Sequence, residues 1–423
     1  MNTFLGIDFG TSGARALLID EQGEVLFQTA HALPSEQSAP LWRTALYELI
    51  TKIPFALRRS IKAIAVDGTS GTMLPCDHDG EALSLPLMYN DDRAFKESEA
   101  FASIAPPGHP ASAPSSGLAK LLWWLGQSPD APGEHFMHQA DWLAFQLHGK
   151  LGVTDYHNAL KSGGDPEQLD YPAWVAALPG ANLLPRILEP GEKIGTITPR
   201  MAQYFTLPPD CVVRAGTTDS IAAFIAADAR HPGEAVTSLG STLALKLLSH
   251  VRVDHSPSGI YSHRFGDFWL VGGASNSGGA VLRSFFDDAQ LASLSAKIEA
   301  SHSSGLDYYP LNAPGERFPF NDPSYPPRLT PRPNSDVQFL HGLLEGIARI
   351  ERDGYALIQS LGATPLQWLY SAGGGARNPA FMAIRAGLLG VSMKKAAHTK
   401  AAYGTALLAR DGKRLLYSRH ESA

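Results

Sequence analysis

The chain opens on an apolar run that ends in an acid, Phe4-Leu5-Gly6-Ile7-Asp8-Phe9. It breaks at Gly10-Thr11-Ser12-Gly13 and resumes as Ala14-Arg15-Ala16-Leu17-Leu18-Ile19-Asp20. Short apolar runs bounded by turn residues predict strands at 4–9 and 14–20, with a third at 24–30 after Glu21-Gln22-Gly23. Helical spacing runs from 42 to 52 and stops before Pro54. Residues 61–66 are continuously apolar, as expected of a strand buried on both faces. They deliver Asp67-Gly68-Thr69-Ser70-Gly71-Thr72 before a further strand at 73–76. Residues 106–114 read as a loop of proline and small residues. Residues 118–125 and 140–147 have helical spacing with tryptophans on their apolar faces.

The second half repeats the opening pattern. A strand at 234–239 breaks at Gly240-Ser241-Thr242 and resumes at 243–248. Strand, small hydroxyl-glycine turn, strand therefore occurs twice, which predicts a duplicated fold with a ligand clamped between the copies. Another strand at 268–273 opens into Ala274-Ser275-Asn276-Ser277-Gly278-Gly279, and residues 305–333 are irregular. A long amphipathic helix spans 338–361. A strand at 368–372 then delivers Gly373-Gly374-Gly375-Ala376-Arg377-Asn378 to a helix that starts at Pro379, a residue suited to a first helical turn.

Four of these segments carry candidate chemistry. Gly10 and Gly13 let backbone N–H groups approach an anion, Thr11 and Ser12 add hydroxyl donors, and Arg15 adds charge. Asp8 can hold a metal there or simply cap a hairpin. Because this turn leads into a strand, it is neither a dinucleotide fingerprint nor a Walker loop. Gly240, Ser241 and Thr242 form a second phosphate candidate, or a plain hairpin tip. Asp219, in Gly216-Thr217-Thr218-Asp219-Ser220, stands where a strand-like stretch opens a helix; it is either a helix cap or a general base toward a substrate hydroxyl. Gly374, Gly375 and Asn378 offer a side-chain-free surface at a helix start, where a flat ligand can lie and an anion is favoured. Phe381 can stack on a base or belong to the core.

Composition narrows the function classes. The 423 residues, 44% hydrophobic and 18% charged, suffice for two domains with cores of their own. A net charge of −6 argues against nucleic acid as a partner. The basic stretch from Arg410 to Arg419 is expected to be a solvated helix face. Two cysteines, Cys76 and Cys211, are too few for a disulfide framework or a zinc site and suit a reducing compartment. The close pair His135 and His138 is expected at the surface. Met1-Asn2-Thr3 leads straight into a strand, so no signal peptide is expected, and no apolar run reaches membrane-spanning length.

Taken in order, these segments resemble the FGGY family of carbohydrate kinases, and the resemblance covers nearly the whole chain. It extends to Thr154-Asp155-Tyr156-His157-Asn158-Ala159, Ser275-Asn276-Ser277-Gly278-Gly279 and Gly315-Glu316-Arg317-Phe318-Pro319. It implies an α/β, two-domain ribonuclease H-like (actin-like ATPase) fold with a cleft between the domains. Residues 1–226 would form a sugar-binding domain joined by a returning segment 400–423, and residues 227–399 an ATP-binding domain. The implied ligands are ATP, Mg²⁺ and a pentulose, with no membrane partner, a monomer or homodimer as the assembly, and a location in the cytoplasm, or in the plastid stroma for a processed plant protein. Asp219 would be the catalytic base. Asp8 and Asp219 would hold the metal, and Asp8, Ser70, Thr72 and Asp219 would contact the sugar. Gly10, Thr11, Ser12, Gly13 and Arg15, with Gly240, Ser241, Thr242, Gly374, Gly375, Asn378 and Phe381, would hold ATP.

The sequence departs from common family members at two places. The sugar loop reads Asp-Gly-Thr-Ser where xylulokinases carry Ser-Gly-Gln. Arg385-Ala386-Gly387 stands where relatives often have an Ala-Asp pair. The sugar loop and the compact length resemble a short cyanobacterial and plant subgroup associated with D-ribulose, which implies D-ribulose 5-phosphate as product. D-xylulose remains the alternative substrate. An actin-like ATPase switch or a sugar sensor is the alternative of another class.

Overall fold

The computed structural model describes residues 1–127 and 133–417. The chain divides into two compact units, Met1–Ala226 with Lys400–Tyr417, and Ala227–Thr399.

The first unit is built on a mixed sheet in the order Val25–Ala32, Gly13–Asp20, Thr3–Phe9, Ile61–Gly68, Val212–Arg214, Lys193–Thr196, with Thr217–Thr218 also pairing Ile61–Gly68. The first three strands are antiparallel neighbours. Thr3–Phe9, Ile61–Gly68, Val212–Arg214 and Thr217–Thr218 run parallel, and Lys193–Thr196 is antiparallel to Val212–Arg214. The apolar runs at 3–9 and 61–68 are buried because the sheet is covered on both faces. Ala39–Thr51 and Gln139–His148 place Trp42, Leu46, Trp142 and Leu147 on one face. The returning helix Ala401–Asp411 lies on the other face. A Cβ on Gly6 would fall onto the backbone of Ala402 and Ala406, so the strand and this helix approach at a distance only glycine allows.

The second unit repeats the arrangement. Its sheet runs Tyr261–Phe265, Phe268–Ser275, Leu243–Ser249, Glu234–Leu239, Trp368–Ala372, Ser392–Lys395. Here four strands pair antiparallel, and the first of them in sequence then pairs in parallel with a later strand. The helix Asp336–Ser360 covers this sheet with an apolar face that includes Leu340, Leu343, Leu344, Ile347 and Ile358.

Two expectations are corrected. His138 is fully buried, because residues His135–His138 form a strand paired with Met73–Cys76 under the helix Gly117–Gln127; only His135 keeps partial exposure. The basic stretch near the end is solvated only in part: Lys413 and Arg414 are exposed as expected, whereas Arg410 is half-buried. Arg410 forks onto Asp411 at 2.8 and 2.9 Å, and Lys413 pairs with Glu189 at 2.8 Å; Arg419 lies outside the described residues. Both cysteines are buried free thiols. No helix among the described residues is long and apolar enough to cross a membrane.

Candidate active site

The first unit gathers three acids at the ends of adjacent parallel strands. Asp8 sits opposite Asp67 in register, and Asp67 sits opposite Thr217, two residues before Asp219. Asp8 is also opposite Arg15 across the hairpin, and Arg15 Nη1 donates to Asp8 Oδ2 at 3.1 Å. Burial pushes the Asp8 carboxyl above the usual carboxylate range, while its hydrogen bond with Asp67 and the Arg15 charge pull it back. Asp67, wholly buried, is pushed well above that range, first by burial and then by the Asp8 charge. The Thr405 hydroxyl, which donates to Asp67, opposes this. Asp67 Oδ1 has no donor facing it. Asp219 is the first residue of the helix Asp219–Ala227, half-buried, with Ser220 N–H donating to its Oδ1 at 2.6 Å.

The Gly10–Gly13 turn is held from behind. Gly10 N–H donates to Gly13 O at 3.1 Å, Leu33 N–H to Ser12 O at 3.1 Å, and Gln37 Nε2 to Thr11 O at 2.7 Å. Trp42 Nε1 in turn fixes Gln37 Oε1 at 2.7 Å. With the loop carbonyls so occupied, Thr11 and Ser12 stay exposed. Gln37 gave no sequence signal, since a lone glutamine in a loop carries no pattern.

The loop after Ile61–Gly68 is braced through its hydroxyls. Thr69 and Thr72 share a hydrogen bond of 2.6 Å, and Thr69 donates N–H and hydroxyl to Gln139 Oε1, both at 3.0 Å. Thr72 is fully buried, so its hydroxyl serves the loop, whereas Ser70 keeps partial exposure. Nearby, Asp155 caps Tyr156–Ala159 by accepting from His157 N, Asn158 N and Asn158 Nδ2.

Behind that cap lies Asp141, a second buried acid whose Oδ2 has no donor. Burial, reinforced by Asp155, pushes Asp141 well above the usual range; burial pushes Asp155 to about 6. A raised folded-state value favours the protonated form. For Asp155 that stability is fully present below the ordinary aspartate value of about 4 and is lost as pH rises through about 6; for Asp141 it is lost in the same direction, as pH rises through its own raised value. Asp141→Asn is expected to raise the thermal midpoint at pH 8 and leave it unchanged at pH 4. Equal shifts at both pH values in a thermal melt would refute this.

The second unit carries the other candidates. Gly240 N–H donates to Thr242 O at 3.2 Å, and Gly279 and Ala280 N–H donate to Gly240 O and Ser241 O at 2.9 and 3.0 Å. Ser241 and Thr242 are exposed, like their counterparts in the first hairpin. The supporting loop is itself fixed by Glu316, which is buried and accepts from Ser275 Oγ at 2.6 Å, Asn276 N at 2.7 Å and Tyr309 Oη at 2.8 Å.

A cavity of about 810 Å³ opens beside this hairpin, lined by Gly240, Ser241 and Thr242, by Gly374, Gly375, Asn378 and Phe381, and by apolar residues such as Leu291, Ile298 and Leu344. Gly373 has φ of +84°, and a Cβ there would meet Leu239 O at 2.7 Å, so the loop needs glycine. Asn378 caps the following helix by accepting from Phe381 N at 3.2 Å and donates from Nδ2 to Ser295 Oγ at 2.8 Å. Phe381 is buried in the core beneath Gly375, offering the cavity only part of its ring. A slot of this size with a glycine wall, apolar residues and polar side chains such as Arg283, Ser295 and Arg377 suits a planar heterocycle with polar substituents.

Comparisons with known proteins give the family and the fold. Residues 3–226 match the FGGY family of carbohydrate kinases, N-terminal domain, and residues 235–410 its C-terminal domain. A xylulose kinase of Staphylococcus epidermidis is 24% identical over 439 residues, covering 96% of this chain and 87% of its own length. A ribulokinase of Halalkalibacterium halodurans is 26% identical over 298 residues, 58% of this chain and 53% of its own. Among solved structures, a ligand-bound xylulose kinase from Lactobacillus acidophilus superposes with a TM-score of 0.85 at 17% identity, covering 99% of this chain and 91% of that one. The xylulose kinase from Rhodospirillum rubrum gives 0.84 at 22%, covering 97% and 90%. These superpositions show the fold, that of the sugar kinases with an actin-like ATPase core.

Proposed function

Because the chain belongs to the FGGY family of carbohydrate kinases and so moves a phosphoryl group from ATP to a carbohydrate, we propose that it acts on a pentulose, D-ribulose, at the terminal hydroxyl. The observation that carries this reading is the strand register that sets Asp67, the first residue of the Asp67–Thr72 segment, opposite Asp8. The loop segment that departs from the xylulokinase pattern is thus the one that adjoins the strand-end acids. Two of the similar proteins are named xylulose kinase and ribulokinase, which supports a pentulose.

The first unit then holds the sugar and the second the nucleotide. Asp219 accepts the proton of the terminal hydroxyl, whose oxygen forms the new bond to the γ-phosphorus as the β–γ bridge breaks and ADP leaves. Asp8 and the partly exposed Ser70 orient the sugar, with Thr72 bracing the loop from inside through its hydrogen bond with Thr69. The exposed Thr11 and Ser12 in the first unit, and Ser241 and Thr242 in the second, each offer hydroxyl donors suited to phosphate oxygens, and the glycine-walled slot takes the adenine. Asp8 and Asp219 suit Mg²⁺. They supply hard oxygen donors, and the burial that disfavours the charged form of Asp8 is what a bound cation offsets. When bound, the ion neutralises charge on the phosphates.

A coupled ADP-release assay over D-ribulose, D-xylulose, L-ribulose, glycerol and a sugar-free control tests the reading. The highest kcat/KM is expected with D-ribulose. A higher value with D-xylulose overturns the sugar assignment. Equal release with and without every sugar overturns the kinase reading in favour of an ATPase switch.

A further inference from the structure

One cation in the first unit is spent on the sugar loop. Lys120 lies in Leu118-Ala119-Lys120-Leu121-Leu122-Trp123-Trp124, on the helix Gly117–Gln127, where every neighbour in sequence is apolar. It is fully buried, and among the described residues no carboxylate pairs with it. Its Nζ donates to two backbone carbonyls, Gly71 O at 2.7 Å and Met88 O at 2.6 Å. A buried ammonium without a counter-ion is costly to keep in a fold, so its two carbonyl bonds must be good ones. They join the Ser70-Gly71 turn to the segment that ends at Met88. Lys161 adds a third tie, donating from Nζ to Ser70 O at 3.2 Å. Two lysines thus fix the consecutive carbonyls of Ser70 and Gly71, and Gln139 fixes Thr69 just before them.

We propose that Lys120 is a positioning residue for the sugar. By holding the Gly71 carbonyl it sets the direction in which the Ser70 hydroxyl is presented. The inference rests on the assignment of this loop to the sugar.

The charged and titratable groups facing Lys120 are Lys161, Arg93, Asp91 and His138. Burial, then the Lys161 charge, lowers the Lys120 ammonium to about 7; Arg93 adds to this and Asp91 opposes it. His138 is held neutral by its own burial, at about 3, and so does not titrate over the same range. As pH rises through neutrality, Lys120 loses the charge that strengthens its two carbonyl bonds, and the grip on the turn weakens.

Steady-state kinetics on the full chain, varying D-ribulose and ATP separately between pH 6 and 8.5, tests this in the wild type, Lys120→Arg and Lys120→Met. Loss of one charge-assisted hydrogen bond corresponds to a rise on the order of tenfold in sugar KM. That rise is expected in Lys120→Met, with the KM for ATP unchanged. The wild-type sugar KM is expected to climb above pH 7. In Lys120→Arg, which keeps its charge throughout, the sugar KM is expected to be independent of pH. A merely structural lysine would move neither the split between the two KM values nor the pH profile. A wild-type sugar KM flat across this range, or a Lys120→Arg profile identical to it, overturns the inference. Both readouts stand even if Lys120→Met fails to fold. Absence of sugar-dependent ADP release from the wild type overturns the kinase reading itself, a result distinct from an active wild type with a flat profile.

Discussion

Replacing Asp219 with Asn is expected to lower sugar-dependent ADP release by about 100-fold or more while nucleotide binding stays near the wild-type value. Positioned general bases contribute roughly 10²–10⁴ in rate, and Asn preserves volume but cannot take a proton. The competing role for Asp219 is that of a helix terminus residue, since it opens Asp219–Ala227 and takes the Ser220 N–H. The two roles separate cleanly. Asn caps a helix about as well as Asp, so a merely capping Asp219 would lose little stability on this change and leave turnover close to normal. Measuring kcat by coupled assay, ATP affinity by calorimetry and the thermal midpoint on one preparation distinguishes them. Retained sugar turnover, or loss of ATP binding, removes Asp219 from the role of base.

The second large effect concerns the nucleotide unit. Arg385, fully buried, donates from Nε and Nη2 to the two oxygens of Glu351, each at 2.6 Å, and from Nη1 to Ser371 Oγ at 2.7 Å. Glu351 also accepts from Thr237 Oγ1 at 2.6 Å, and Thr237 shares a 2.8 Å hydrogen bond with Tyr355. The cluster ties the helices Asp336–Ser360 and Pro379–Leu389 to the strands Glu234–Leu239 and Trp368–Ala372, the elements that frame the cavity. Glu351→Ala leaves a guanidinium buried without its partner, and is expected to destabilise this unit by about 3–5 kcal/mol. Replacing Glu351 and Arg385 together with apolar residues of similar volume is expected to cost far less than the single change, since no charge is then stranded. Urea unfolding of both variants decides the matter; a single variant within about 1 kcal/mol of wild type would show the pair to be dispensable. Because Asn378 caps the same helix that carries Arg385, the single variant is also expected to bind ATP more weakly.

Much of the fold was legible along the chain. The strands at Thr3–Phe9, Gly13–Asp20, Glu234–Leu239 and Leu243–Ser249, and the helix that starts at Pro379, fall where apolar runs and turn residues put them. Such signals are local, since an apolar run, a glycine turn and a proline at a helix start each act within a few residues. The same locality made the two hairpins and the glycine loop readable as a repeated pattern. Burial of single polar residues was not readable. The close pair His135 and His138 has no partner motif and reads as a surface pair, yet strand pairing and an overlying helix enclose His138.

The sequence by itself determined the turn chemistry: small hydroxyl residues at two hairpin tips, a glycine wall before Asn378, and acids at strand ends. Tertiary structure alone decided what each group is paired with. Asp67 became the neighbour of Asp8 because two parallel strands align in register. Gln37 became the brace of Thr11 from 26 positions away, and Lys120 reached Gly71 across 49. Arg385 found Glu351 at a separation of 34. A polar group's ionisation and reach depend on which distant groups exclude water around it, and that is settled only when the layers pack.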